Sequence, residues 1–470
     1  MTATAPQARL PLLRLLAFSC GSIPATMLVS MMSMYLPPFY AQKLGVSLAV
    51  LGGALATVRL IDLGVDLALG WLMDKTRTPI GRYRPWYIAG LPVFCLGIFK
   101  VFNPPADADL LYLSIWFLVL YVAYSMMVLS HAAWGAALSG DYHERSRIFG
   151  WMMGLAVVGS VTLSASPILS HGAIKPGDPA SMPPLGMMIM LITAVAVPLT
   201  LGFMAEPRTP SAAKARPRLA DYLAVIGTPS MLRLIVADLL TALAPGIMGP
   251  IYLFFFHDAK HFDVGQISLL LIPFTAAGII ASPLWSALGR RFGKHRTLQV
   301  ACVCYAVCQS ILMALPAGLF WPTAAGMFSV GFCGTAFGVL IRSMVADVAD
   351  EVKLNTGHER SGVLYALITM SQKFSTMMGV SIVYPILQWV GYSPKHGAVN
   401  TPQAIFGLEM CYLFAPIGLA LLGATLFFGY RLDAARQREI RSQLDEIEAR
   451  DFMAAQESLT GPGERIAAAS

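Results

Sequence analysis

The chain has 470 residues, 56% of them hydrophobic and 13% charged, with a formal net charge of +7. Soluble domains carry about 25% charged residues, so this composition excludes an ordinary soluble protein and points to one embedded in lipid. Arginine and lysine gather in alternate loops, which argues for membrane topology and against a nucleic-acid partner.

Twelve apolar segments of about 20 residues, each able to cross a hydrocarbon core of about 30 Å, are predicted near 12–36, 47–72, 86–103, 110–138, 148–172, 181–204, 231–256, 265–288, 298–316, 318–346, 362–390 and 405–430. The first, which carries Thr26 and Tyr35, is as long as the others and reads as a span rather than a cleavable signal. The second holds Arg59, Asp62 and Asp66 at i, i+3 and i+7, one helical face. A charge at mid-membrane costs about 2.5–3.5 kcal/mol on insertion scales, so such residues usually face a bundle interior and mark an ion or substrate path. Two acids beside one base leave a carboxylate able to hold a cation or a proton; the alternative is a structural ion pair with Arg59.

A basic loop with Asp74, Lys75, Arg77, Arg82 and Arg84 follows, and Lys100 closes the third segment, read as snorkelling outward. The fourth contains Tyr124, Ser125, Val128, His131 and Trp134; a lone histidine there reads first as a packing residue and second as a titrating one. After it come Asp141, Arg145 and Arg147, then Trp151, Met152 and Met153 in the fifth. Asp238 in the seventh is a third membrane acid, placed either beside Arg233 one turn away or at a cavity edge. Arg290, Arg291, Lys294 and Arg296 follow the eighth segment, Lys353 and Arg360 the tenth, and Lys373 sits in the middle of the eleventh. The seven cysteines lie mostly in apolar spans and read as small core residues. Gly52, Gly53, Gly64, Gly70, Gly135, Gly150, Gly154 and Gly159 suit close helix approach, and Pro24, Pro245, Pro250, Pro273 and Pro283 predict kinks.

The basic loops fall on one side, which predicts both termini in the cytoplasm of a multi-pass inner-membrane protein. Asp74, Arg82, Arg84, Asp141, Arg145, Arg147, Arg290, Arg291 and Arg360 are candidate cytoplasmic gate groups, pairing in one access state and separating in the other. Positive-inside topology alone is the competing explanation.

An internal repeat organises the chain. His143-Glu144-Arg145-Ser146 recurs as His358-Glu359-Arg360-Ser361, and Gly81-Arg82-Tyr83-Arg84 is echoed by Gly293-Lys294-His295-Arg296, at offsets of 215 and 212. Two parallel halves with a site between them are what a major facilitator transporter would show. The predicted division is an N-terminal six-helix bundle at 1–205, a linker at 206–230, a C-terminal bundle at 231–430, and a tail at 431–470 that is amphipathic helix and then disordered. A short interfacial helix is predicted inside the linker, near 219–226.

The run from Arg59 through Asp62, Asp66 and Gly70, then Asp74-x-Thr76 and Gly81-Arg82-Tyr83-Arg84-Pro85-Trp86, resembles the second-helix signature of the glycoside/pentoside/hexuronide:cation symporters, the melibiose permease family. Asp141 to Arg145, Ala346-Asp347 through Thr356-Gly357, Lys373 and Gly391-Tyr392 are similar to further family positions, so the resemblance spans both halves. It implies cation-coupled uptake by alternating access, with Asp62 and Asp66 as coupling carboxylates and Ser125 in place of a hydroxyl cation ligand. Val65 stands where the family often has an amide and Leu67 where it has a helix proline, so one oxygen ligand is missing and proton coupling stands beside sodium. The family's sugar-holding acids and arginine fall at or near Thr26, Val128 and Met152, none of which can clamp hydroxyls by charge. Around them Tyr35, Arg59, Tyr124, His131, Trp134 and Lys373 complete the expected substrate cavity, with methionines that suit a larger amphiphile or equally plain packing.

The reading is an all-α membrane protein with twelve helices in two pseudo-symmetric bundles, a symporter of a glycoside or sugar-like solute with H+ or Na+, and not an enzyme. No P-loop, HExxH or paired CxxC motif is present. No cofactor and no metal beyond a possible Na+ is expected, and the partners are a small organic solute and membrane lipid around a monomer. A lysolipid or amphiphile carrier and a non-transporting sensor are the alternatives.

Overall fold

The computed structural model describes residues 10–138, 142–171, 179–206, 227–356, 361–394, 400–430, 432 and 434–459. Asp141, Arg360, most of the predicted linker with its short helix, and the end of the tail lie outside them.

Among the described residues the regular secondary structure is helical, apart from one isolated bridge between Thr78 and Gly81. In lipid every backbone polar group needs an internal partner, which long helices supply. The helices are α1 (Leu12–Ala41), α2 (Leu48–Lys75), α3 (Arg84–Phe102), α4 (Leu110–Ala137), α5 (Tyr142–Ser164), α6 (Met182–Phe203), α7 (Pro229–Ala259), α8 (Val264–Phe292), α9 (Lys294–Ala314), α10 (Phe320–Thr356), α11 (Ser361–Trp389), α12 (Pro402–Thr425) and α13 (Ala434–Leu459). Eleven are long and apolar enough to cross a membrane; the two others are the tail helix α13 and α11, which carries Lys373 and runs for 29 residues.

The ends are fixed by local chemistry. Ser47, Asp109 and Thr401 cap α2, α4 and α12 through their side chains, and Asp263 with Gln266 forms a capping box on α8. Prolines act where they remove an amide. The break in α1 at Cys20 lies four residues before Pro24, and the break in α8 at Leu270 lies three before Pro273. Both α1 and α7, the first helices of the two halves of the repeat, contain a π turn near their far ends, at Met31–Tyr35 and Phe255–Ala259.

Helices α1 to α6 pack among themselves, chiefly α3 on α4, α1 on α5 and α6, and α2 on α4, while α7 packs on α10, α11 and α12, and α10 on α8 and α9. The two groups meet along α2 with α11, α1 with α7, and α5 with α8. Small residues set the closest approaches: a Cβ on Gly159 would come within 2.4 Å of the Ile23 carbonyl, and one on Gly379 within 2.1 Å of the Gly246 backbone. Of the glycines singled out from the sequence, Gly52, Gly135 and Gly159 touch a neighbouring helix in this way. Gly53, Gly64, Gly70, Gly150 and Gly154 face open space instead.

Candidate functional site

The charged face of α2 meets α4 and α11. Asp62 is 3% exposed; the Ser125 hydroxyl donates to its Oδ1 at 3.3 Å, and Arg59 Nη1 stands 4.0 Å from its Oδ2. The Arg59 guanidinium lies over the Tyr121 ring, 3.9 Å from its centre. One turn further along α2, Asp66 Oδ2 accepts from Lys373 Nζ, an ion pair that joins the two groups of six helices. Its other oxygen, Oδ1, is buried and has no hydrogen-bond partner among the described residues. Two cations and two carboxylates make the cluster neutral as it stands. An added cation or proton leaves it with surplus positive charge, so it competes with Lys373 for the carboxylates.

Beside this cluster are three cavities. One of about 240 Å³ lies between the halves, with Arg59 and Tyr121 in its wall. A second, about 390 Å³, is lined by Thr26, Tyr124, Val128, His131 and Met152, with Arg342 reaching in from α10. The Thr26 hydroxyl is bonded back to the Ser22 carbonyl at 3.1 Å. His131 Nε2 lies 2.9 Å from the Phe18 carbonyl, which can only accept, so that nitrogen carries a proton. The His131 ring is held between Phe18 and Tyr87.

Four residues expected in this cavity are elsewhere: Arg59 lines the central one, Lys373 is paired with Asp66, and Trp134 and Tyr35 are buried. Trp134 is fully buried behind the cavity, edge-on to Phe18 at 5.1 Å. Tyr35 lies in the π turn of α1, where the wider turn shifts the face it presents. It is buried with its hydroxyl 3.3 Å from that of Ser268 on α8, and so joins the halves at the end away from the termini. At the same end Gln388 accepts from the Ala49 amide at 3.2 Å, and Tyr384 packs against Gly52.

The third cavity, about 460 Å³, belongs mainly to α7 to α12 and has Asp238 in its wall. Of the two placements expected for Asp238 this is the cavity edge: Arg233 instead donates to the Gly429 carbonyl at 3.3 Å. The Gln372 amide donates to Asp238 Oδ1 at 3.0 Å.

At the end nearer the termini, three of the candidate gate groups, Arg82, Arg84 and Arg147, have partners within their own group of helices. Gly81, at φ +123°, leads the amides of Arg82, Tyr83 and Arg84 onto the Glu206 carboxylate at 2.8, 3.0 and 3.2 Å. A Cβ there would lie 2.1 Å from Glu206 Oε2. Arg82 Nε donates to the Met73 carbonyl, Arg84 to that of Leu201, and Arg147 pairs with Glu144 at 3.0 Å. Arg290 and Arg291 are exposed at the end of α8. Of Asp74 and Arg145 the backbone alone is described. The sequence reading missed Glu206, assigned to the linker, and the Lys294–Asp347 pair at 2.7 Å between α9 and α10. Lys294 follows Gly293, whose φ of +90° repeats that of Gly81, so the loop repeat carried the signal. The tail helix α13 docks on α10, where Asp350 pairs with Arg441 at 2.9 Å and accepts from Gln437 at 2.7 Å.

A phenol at the opposite end closes the pattern. Tyr392 donates to Asp258 at 2.5 Å, and burial, followed by the neighbouring carboxylate, holds it well above the ordinary phenol range, so it keeps its proton. Among the described residues no group of three or more His, Cys, Asp or Glu is placed to hold a metal ion.

Relatives match this architecture over nearly its full length. The glucuronide carrier protein homolog of Escherichia coli K12 is 23% identical over 92% of this chain and 95% of its own. The human sodium-dependent lysophosphatidylcholine symporter 1 is 25% identical over 82% of this chain and 77% of its own. The crystal structure of the nucleoside transporter NupG superposes with a TM-score of 0.66 at 15% identity, covering 89% of this chain and 98% of that one, a likeness of fold. A family profile described as MFS/sugar transport protein matches residues 17–434. With the two packed groups of membrane-spanning helices, that match places the chain in the MFS/sugar transport protein family, among membrane transporters rather than enzymes.

Proposed function

We propose that the protein is a secondary transporter that moves a glycoside or sugar-like solute together with a cation, H+ or Na+, by alternating access. The observation that carries this is the Asp66–Lys373 ion pair between the halves, set one turn from the Asp62–Ser125 pair on the same helix face. A cation arriving at the carboxylates displaces Lys373 and loosens the contact between α2 and α11, which makes ion binding and rearrangement of the halves one event. The oxygens gathered at Asp62 are its own carboxylate and the Ser125 hydroxyl. That set suits a proton better than a sodium ion, which needs several oxygens.

The same reading takes residues 1–205 and 231–430 as the two bundles, joined by 206–230, with α11 as the twelfth membrane crossing. Both termini lie in the cytoplasm, since the basic loops share their side. The Tyr35–Ser268 and Ala49–Gln388 contacts then close the outer end. The protein acts as a monomer in the inner membrane, without a cofactor. A lysolipid carrier is the second reading, favoured by the apolar wall that Val128 and Met152 give the 390 Å³ cavity.

Proteoliposome uptake of nitrophenyl glycosides and of lysophosphatidylcholine, driven separately by a pH gradient and a sodium gradient, tests this. Accumulation of a glycoside that collapses with the pH gradient is expected. Strict sodium dependence overturns the choice of ion, lysolipid uptake without glycoside uptake overturns the substrate, and binding without counterflow overturns transport.

A further inference from the structure

The N-terminal cavity offers no charged group at the sugar-clamp positions, and the C-terminal cavity holds one that nothing so far uses. Asp238 is 2% exposed, lines that cavity, and accepts from the Gln372 amide on Oδ1, with the Ser371 hydroxyl beside its carboxyl. Its Oδ2 is buried and has no hydrogen-bond partner among the described residues. A buried carboxyl oxygen without a donor costs about 1–3 kcal/mol, a cost that a ligand hydroxyl donating to it would remove.

The surroundings indicate which ligand. Tyr305 and Phe337 stand edge to face at 5.3 Å in the same cavity wall, with Phe274 beside them. The Tyr305 hydroxyl has the Met248 thioether at 3.3 Å, a weak acceptor that a stronger partner would replace. Aromatic faces with one carboxylate, one amide and one phenol are the chemistry that holds a ring bearing hydroxyls: the rings cover its apolar face and the polar groups take its edge. Met34, Pro245 and Gly249 border both this cavity and the central one that contains Arg59, so its contents lie next to the coupling cluster.

We propose that Asp238, oriented by Gln372, is the hydroxyl-recognising group of a pyranoside subsite in the C-terminal half. Asp238 Oδ2 accepts from a ring hydroxyl, Gln372 Nε2 fixes the carboxyl, and Tyr305 donates to a second ring oxygen. This rests on the symporter reading and moves sugar recognition from the N-terminal half, where Thr26, Val128 and Met152 cannot supply it, to the opposite one. The floor of the cavity supplies a separate handle. Gly338 on α10 lines it, and a Cβ there meets no atom within 4 Å, so a larger side chain enters the cavity without disturbing the helix packing.

Isothermal titration of the purified full-length protein with nitrophenyl β-D-glucopyranoside, β-D-xylopyranoside and β-D-glucuronide, and with singly deoxygenated forms of whichever binds, tests the assignment. Asp238→Asn is expected to weaken binding about 10- to 100-fold, in line with a hydrogen bond to a charged group, and to abolish the penalty for removing one particular hydroxyl. Gly338→Leu is expected to block binding while leaving the melting temperature in place, which covers the case of an Asp238 variant that does not fold. Wild-type binding that both variants retain overturns the subsite while leaving the symporter reading intact. So does an Asp238→Asn protein that binds glycoside normally and loses coupling, since Asp238 would then be an ion-handling group. If the wild type binds none of the three glycosides, the substrate class proposed above fails, and this subsite with it.

Discussion

The two halves share a chain plan and differ in what they bury. The N-terminal six helices carry Arg59, Asp62 and Asp66 on one face of α2, whereas the C-terminal six place one acid, Asp238, against an amide, and send Lys373 out of their own half to Asp66. The contrast teaches that duplication of a fold does not duplicate its electrostatics. One half holds the charge cluster proposed to take the coupling ion, the other an incompletely bonded carboxyl beside aromatic rings, which the proposed subsite assigns to an uncharged polar ligand. The near-membrane loops diverge in the same way. Gly81 brings backbone amides onto Glu206, while the matching Gly293 leads to a side-chain pair, Lys294 with Asp347.

The strongest way to break this division is to remove both acids of the half proposed to handle the ion. Asp62→Asn with Asp66→Asn should abolish concentrative accumulation in proteoliposomes while exchange of solute down its gradient persists. Ion and solute are then uncoupled, a loss of about 1–3 kcal/mol of coupling or about 5- to 150-fold in ion-dependent affinity. Retained accumulation overturns the role of α2.

Lys373→Ala comes next. It leaves Asp66 buried without its cation, at a cost of about 3 kcal/mol, the lower end for a broken buried pair because a third of the Lys373 side chain is exposed. A lower melting temperature, restored in part by Lys373→Arg or by a bound coupling cation, is the expected result; an unchanged melting curve removes the pair from the account.

The loops give a smaller effect. Glu206→Ala strips the acceptor from three amides and should destabilise the protein by about 2 kcal/mol, read as a fall in melting temperature. Asp347→Ala, its counterpart in the other half, should cost less, since it removes one partly exposed ion pair. An equal fall for both would erase the contrast between the loops.

The smallest effect concerns pH. Tyr392 keeps its proton in the folded state above the ordinary phenol range, whereas in the unfolded chain it ionises near pH 10. The unfolded state therefore binds fewer protons there, and stability falls as pH rises past about 10. Tyr392→Phe should make that alkaline decline shallower in thermal melts while leaving the curve below pH 9 nearly parallel to that of the wild type.

Much of this was legible in the chain. Apolar length gives helices because lipid leaves the backbone no other partner, and each predicted segment overlaps one of α1 to α12, with the largest departures at the ends of α1, α5, α10 and α12. The i, i+3, i+7 spacing of Arg59, Asp62 and Asp66 fixes their common face before any tertiary contact forms. Side-chain direction relative to a cavity was less legible. Tyr35 sits in a π turn, away from where a regular helix would aim it, and Trp134 is covered by packing against Phe18. Glu206 was hidden because a carboxylate just past a helix end looks like linker until the loop that uses it folds back.

By itself the sequence determined the lipid environment, the helical spans, the repeat and the presence of two acids within reach of a base, since these follow from composition and local spacing. The tertiary structure decided which cation meets Asp66, that Arg84 binds the Leu201 carbonyl within its own half, and that Asp238 faces a cavity. The Asp66–Lys373 and Asp238–Gln372 contacts join residues 307 and 134 positions apart, and only the packing of α2 on α11 and of α7 on its neighbours sets the distances on which charge and hydrogen bonding depend.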